Sequence, residues 1–353
     1  MTGAQLASLA GGVVVLAATA YDLVQSVVLP RPAVGRFRLS ILLVATLWRF
    51  WRAAGRRLGA LRRREAVLGA FAPLAVILLL ACWSAALVAG YGLVLHAVLP
   101  GHGLGGSLYL AAAALFTFGL SGVAPASAAP RVVVSLAAAS GLGLVALVVS
   151  LLFLLFGAFE RREVRVVMLD AIAGAPPSGV HVLESCAELG VPDLLDEVFS
   201  DWELWAAQVL ESHLSFPVLI YFRSSHDNEA WVNSFGAVMD AANLVLTTLA
   251  DVPRGRAELF YKVGKHLADD LGHSFRHTGP RLPGLERGEF DGALARLRAA
   301  GHTVRDPDLA WAAFAARRLQ YMPLLHHLAR ELEIVAAPWI GDRSYLPHRD
   351  GRH

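Results

Sequence analysis

Three long apolar stretches come first in this chain, and a series of amphipathic segments follows them. Residues 4 to 30 are apolar apart from one charge, Asp22, and Arg31, Arg36 and Arg38 follow at once. Residues 66 to 99 carry no ionisable residue of that kind except His96. Residues 132 to 159 form the third stretch. At about 1.5 Å of rise per residue, each is long enough to cross a hydrocarbon core of about 30 Å. Pro73 predicts a kink in the second. Residues 39 to 52, LSILLVATLWRFWR, are different, because only ten uncharged residues precede Arg49. Trp48, Arg49, Trp51 and Arg52 suit an amphipathic helix lying in the membrane interface rather than crossing it.

Beyond Phe159 the pattern changes abruptly to Glu160-Arg161-Arg162-Glu163. A Pro/Gly linker at 173–179 follows. Helical periodicity then predicts helices over 181–189, 193–213, 226–250, 255–272, 287–300 and 307–335. Asp306-Pro307 reads as an N-cap with a first-turn proline, and Ser224-x-x-Asp227 as the start of the helix near 226. Alternating apolar and polar runs are few, so no sheet is expected. The predicted class is an all-α membrane protein in three parts. Residues 1–65 give a span and the interfacial helix, 66–159 a pore domain, and 160–353 a helical cytoplasmic domain. The arginines at 31–38 and 49–64 put those loops inside, and hence the N-terminus outside and residues 160–353 in the cytoplasm, with the plasma membrane the expected location.

Composition agrees with that class: 56% of residues are hydrophobic, 17% charged, and the mean hydropathy is +0.51. A net charge of +2, without interleaved aromatic and basic residues, gives no reason to expect a nucleic-acid partner. Cys82 lies in an apolar span and Cys186 in the tail, a separation that argues against a disulfide. Gly141-Leu142-Gly143 sits inside a span with no strand before it, so it is no dinucleotide fingerprint.

The most informative stretch joins the second and third spans. A short apolar helix, Ser107 to Phe116, leads into Thr117-Phe118-Gly119-Leu120-Ser121-Gly122, then a loop with Pro125 and Pro130. Half-helix, glycine-bearing loop and full span is the order of a pore loop and inner helix. Irregular backbone at membrane depth is tolerated only where protein or a water-filled cavity receives its polar groups. This segment resembles the pore of two-transmembrane potassium channels, whose filter reads T-x-G-Y-G-D. More narrowly, the chain resembles bacterial potassium-channel-like proteins with T-x-G-L-G-D and a helical cytoplasmic tail. The matching tail motifs are Ala158-Phe159-Glu160-Arg161-Arg162-Glu163-Val164, Gly174-Ala175-Pro176-Pro177, Trp205-Ala206-Ala207, Glu211-Ser212-His213-Leu214-Ser215 and Tyr221-Phe222-Arg223-Ser224-Ser225-His226-Asp227-Asn228. The likeness runs to about Asp240.

The resemblance implies a homotetrameric, pore-forming protein that passes monovalent cations such as potassium across a lipid bilayer. Thr117 to Gly122 would be its filter, with no enzymatic activity, cofactor or metal. Leu120 stands where potassium channels place tyrosine, Ser121 where the second glycine belongs, and Gly122 where the aspartate belongs; in an alternative register, with one inserted residue, Gly122 serves as the second glycine. The expected consequence is weakened potassium selectivity. Two alternatives are a non-conducting scaffold or sensor that keeps the pore fold, and a membrane-anchored enzyme with its site in the tail.

Other residues carry paired readings. Gly141 and Gly143 are either a hinge of the inner helix or small residues permitting close packing. Asp22, costly in hydrocarbon, is expected to anchor the first span by reaching the interface or pairing with an arginine. Glu211, His213, His226, Asp227 and Asp240 match no compact metal motif, and capping or buried hydrogen bonding is the expected role. Ser225-His226-Asp227 cannot form a catalytic triad, since sequence neighbours do not give its geometry. Trp202, Trp205, Phe216, Tyr221, Phe222 and Trp231 are expected to pack as one aromatic core patch.

Overall fold

The computed structural model describes residues 2–28, 39–58, 61–99, 101–117, 127–224, 230–274, 286–335, 337 and 339. It is all-α. Among the described residues there is no strand, and the one isolated β-bridge pairs Leu249 with Val304. The chain divides into two compact units: Met1–Gly157 with Leu214–Phe222, and Ala158–His213 with Arg223–His353.

The first unit contains α1 (Gly3–Leu23), α2 (Leu39–Arg56), α3 (Leu61–Gly69), α4 (Phe71–Val98) and α5 (Leu104–Leu115), with most of α6 (Ala128–Ala173). Three helical stretches, Gly3–Val27, Arg63–Val98 and Ala128–Ala173, are long and apolar enough to cross a membrane. α1 begins on a full capping box, in which Thr2 and Gln5 exchange side-chain and backbone hydrogen bonds. It ends in a π-helical turn over Val24–Val28. α1 and α4 run antiparallel at close range, because Gly12 and Gly90 face each other. A Cβ on Gly12 would lie 2.7 Å from the Gly90 carbonyl oxygen. The Ser8 hydroxyl donates to the Leu93 carbonyl at 2.9 Å on the same seam. Small residues at such a seam bring two backbones together where lipid offers helices no hydrophobic drive to associate.

The stretch Arg63–Val98 is interrupted at Ala70, three residues before Pro73. α3 ends at Gly69, Ala70 intervenes, and Pro73 lies in the first turn of α4, where a missing N–H costs no helical bond. α2 is strongly two-sided: Val44 and Trp48 are buried, while Leu42 and Phe50 are exposed. The Trp51 indole donates to the Val67 carbonyl at 2.7 Å and joins α2 to α3. A 3-10 segment, Pro217–Tyr221, also belongs to this unit. Tyr221 packs on Trp48 and Phe71 with ring centroids 5.2 and 5.3 Å away, and Phe222 packs on Phe156 at 6.3 Å.

α6 is one unbroken helix of 46 residues, about 69 Å long, so the inner span continues well beyond Phe159. Val132, Leu136, Leu142, Val145, Val149 and Phe153 form an exposed apolar face along it.

The second unit is built on α9 (Trp231–Thr247), every one of whose residues but Asn233 is buried. Around it stand α7 (Gly179–Leu189), α8 (Leu194–Ser215), α10 (Gly255–Ser274), α11 (Arg287–Ala299), α12 (Pro307–Arg318) and α13 (Met322–Glu331). Asp306 caps α12 as expected, accepting from the Asp308 and Leu309 amides at 3.0 Å, with Pro307 at the first helical position. The helix expected over 307–335 is two. The chain breaks at Leu319–Tyr321, and Pro323 falls in the first turn of α13. α9 starts at Trp231 rather than near 226, and the Ser224 hydroxyl accepts the Trp231 amide at 3.0 Å.

Candidate functional site

Twelve residues of α5 rise about 18 Å, too little to cross a membrane. The helix is nonetheless buried along Ser107, Leu110, Ala111, Ala113 and Leu115, in a core shared with Trp83, Leu87, Tyr91 and Leu95 of α4 and Ala137 and Leu144 of α6. Two contacts fix its depth. A Cβ on Gly92 would meet the Leu108 side chain at 2.5 Å, and one on Gly141 would fall 1.7 Å from the Leu115 carbonyl oxygen. No residue but glycine fits at 141 while this carbonyl stays in place. Of the two readings of the inner-helix glycines, packing is therefore visible at Gly141, whereas Gly143 has open space around it. Tyr91 braces the same place. Its hydroxyl donates to the Leu136 carbonyl at 3.3 Å and shares a hydrogen bond with Ser140 at 2.6 Å.

α5 ends abruptly. The Phe116 amide bonds back to Ala112, and Thr117 follows at φ +56°. A β-branched residue in the left-handed region is a true outlier, and such strain gathers at functional turns. The negative end of the α5 dipole thus lies at the position where the glycine-bearing loop begins. Of the residues expected to form a filter, Thr117 is the first and is placed here. Phe118, Gly119, Leu120, Ser121 and Gly122 lie outside the described residues.

Asp22 is a buried carboxyl group of this unit, 4% exposed. The Trp83 indole donates to it at 2.8 Å, and the Ser40 amide and hydroxyl both reach it at 3.3 Å. Ser40 also bonds to Ser26 of the π turn at 2.8 Å. Arg31, Arg36 and Arg38, the arginines expected beside it, lie outside the described residues. Its described partners are neutral donors from α2 and α4. They supply the hydrogen bonds that a carboxylate loses on leaving water.

In the second unit the candidate metal residues do not converge. Glu211 is exposed, and His226 and Asp227 lie outside the described residues. His213 is buried, with Nδ1 2.9 Å from the Val209 carbonyl. That bond makes Nδ1 the protonated nitrogen and leaves Nε2 an acceptor, with no partner among the described residues. Burial, reinforced by the Arg162 guanidinium, holds its pKa down at about 3, against a slight lift from the Val209 bond. Arg162 itself is buried between the rings of Trp231 (5.0 Å) and Phe159 (5.4 Å), and pairs with Glu163 at 2.9 Å. The Trp205 indole donates to the Arg162 carbonyl at 3.0 Å. The aromatic patch expected as one cluster is split. Trp202, Trp205 and Trp231 pack here, whereas Phe216, Tyr221 and Phe222 belong to the other unit.

Asp240 has a different setting. It takes two hydrogen bonds from Arg318, at 2.9 and 3.1 Å, and a third from the Tyr321 hydroxyl. Burial lowers the Arg318 pKa, yet the attraction of Asp240 outweighs it and the net shift is upward. Burial and the same carboxylate push the Tyr321 phenol well above its ordinary range. A small cleft opens beside this trio, lined also by Ser178, Asn233, His326 and Trp339. Arg318 and Tyr321 stand in no motif, so no sequence signal pointed to them. Among the described residues no three His, Cys, Asp or Glu side chains are grouped as a metal site. Comparison with protein-family models, with curated proteins and with solved structures finds no match to this chain.

Proposed function

We propose that the chain is one subunit of a potassium-channel-like membrane protein, a homotetramer passing monovalent cations, with residues 160–353 as a helical cytoplasmic domain. The observation that carries this reading is α5. It is an apolar helix too short to span, wedged between α4 and α6 at Gly92 and Gly141, and ending in a left-handed Thr117 that opens the T-x-G-L loop. Such a half-helix is useful where its carbonyl end faces a cation path. One chain supplies one such loop, so a central filter requires several copies about an axis. The exposed apolar face of α6 supports the same reading, because lipid or a neighbouring copy, not water, suits it.

The departures at Leu120, Ser121 and Gly122 remove a bracing hydroxyl, a glycine and a carboxylate from the filter pattern. Weak preference for potassium over sodium follows, and Ser121 in place of the second glycine is the feature that favours the non-conducting scaffold as the rival. Reconstituted flux with potassium, sodium and chloride side by side tests the proposal. Cation flux exceeding chloride flux is expected, with potassium at most a few-fold preferred. Restoring Leu120→Tyr, Ser121→Gly and Gly122→Asp together should sharpen that preference. Absence of any flux from a monodisperse tetramer would leave the scaffold, and a strictly monomeric protein in mild detergents would end both oligomeric readings.

A further inference from the structure

The end of α13 releases the chain across the second unit in an unusual way. Glu333 takes a left-handed φ of +56°, and the Ile334 amide bonds back to the Ala329 carbonyl, closing the helix. Arg223 fixes that turn by donating to the Leu332 carbonyl at 2.7 Å and to the Glu333 carbonyl at 3.4 Å. The chain then leaves as a non-helical strap. Asn233 Nδ2 donates to the Val335 carbonyl at 2.9 Å, and the Ser178 hydroxyl to the Trp339 carbonyl at 3.2 Å. Both grips read main chain and neither reads a side chain. Val335 is 73% exposed, so its side chain adds little. A side-chain anchor is Trp339, which packs on Phe314 at 5.5 Å and on Phe290 at 6.4 Å, beneath the Arg318 guanidinium at 5.8 Å.

Main-chain grips plus one aromatic anchor is how a groove holds an extended peptide with little demand on its sequence. The present occupant fits imperfectly. The Trp339 indole N–H is buried with no partner among the described residues, and an unmet buried donor loses the hydrogen bond it had in water. Among the described residues the strap is held by two carbonyl bonds and an anchor with an unmet donor, a hold that suits exchange. We propose that α9, α11, α12 and the α6–α7 linker form a peptide-recognition groove, occupied in cis by the segment that carries Val335 and Trp339. A partner's extended, uncharged segment with a tryptophan in the same place competes for it. This inference does not depend on the channel reading.

The test uses a fluorescein-labelled peptide of the sequence from Ile334 to Asp342, titrated against three detergent-solubilised chains: wild type, Trp339→Ala, and one ending at Glu333. Both variants should bind it with micromolar affinity, and the wild type at least about tenfold more weakly. In the peptide, replacing tryptophan by alanine should cost about tenfold or more, and so should Asn233→Ala in the shortened chain. Variants that melt as cooperatively as wild type yet bind no peptide would overturn the proposal. So would wild type and variants binding alike. Loss of cooperative folding in both variants would show the strap to be fixed core, which also overturns it.

Discussion

At the scale of single residues, the second unit keeps one histidine neutral at a cost that depends on pH. His213 has a folded pKa of about 3, set by burial and then by Arg162, against an ordinary value near 6.5. Above about pH 6.5 both folded and unfolded states hold it neutral and its full contribution is present. As pH falls from there toward 3, the unfolded state binds the proton first, and stability drops by up to about 1.4 kcal/mol per pH unit. His213→Phe should flatten that acid limb, as read from denaturation midpoints between pH 7 and 4; an unchanged slope would mean His213 is not the group responsible. None of this was legible beforehand. His213 shows in the sequence only as a histidine near a glutamate, and Arg162 only as part of an exit cluster. Their meeting needs α8 and α9 to close around α6. Asp22 was legible as a buried charge because an apolar run isolates it. Its partner Trp83 was not, since sixty-one residues separate the two.

At the scale of elements, α5 and α6 depend on one missing methyl group. Gly141→Ala would drive a Cβ into the Leu115 carbonyl, so α5 must shift. A loss of about 1–3 kcal/mol is expected, the range for overpacking a tight contact. Gly143→Ala, two residues on with nothing near its Cβ, should be neutral or slightly stabilising, since alanine favours helix. Thermal melting in one detergent compares the two, and equal effects would refute the packing role of Gly141. Hydropathy made the spans and the short α5 readable, because long apolar runs have few alternatives in water. It was poorer at joints. The break between α12 and α13 was signalled by Pro323, but Leu319, Met322 and Leu325 keep the apolar spacing and hide it. The start of α9 was misplaced for a related reason: Ser224 bonds an amide seven residues on, beyond the reach of a simple capping box.

For the whole molecule, the arginine distribution predicts a topology that can be checked directly. In a background with Cys82→Ala and Cys186→Ala, Thr2→Cys should react with a membrane-impermeant thiol reagent added outside intact cells. Glu188→Cys, exposed on the second unit, should react only after lysis. Ser178 would be a poor reporter, since it is buried. External labelling at 188 would invert the proposed orientation.

The return of Leu214–Phe222 to the first unit bears on how the protein can be divided. A scissor cut after Gly157, the natural boundary on a hydropathy plot, would give a soluble-looking fragment carrying a passenger from the other unit. Tyr221 and Phe222 would travel with it, stripped of Trp48, Phe71 and Phe156. Such a fragment acquires a sticky aromatic loop between α8 and α9, and clumping on expression would report the severed loop rather than a misfolded tail. The workable dissection trims the loop's aromatics to polar residues first, because any cut at 222 would take α8 away from α9.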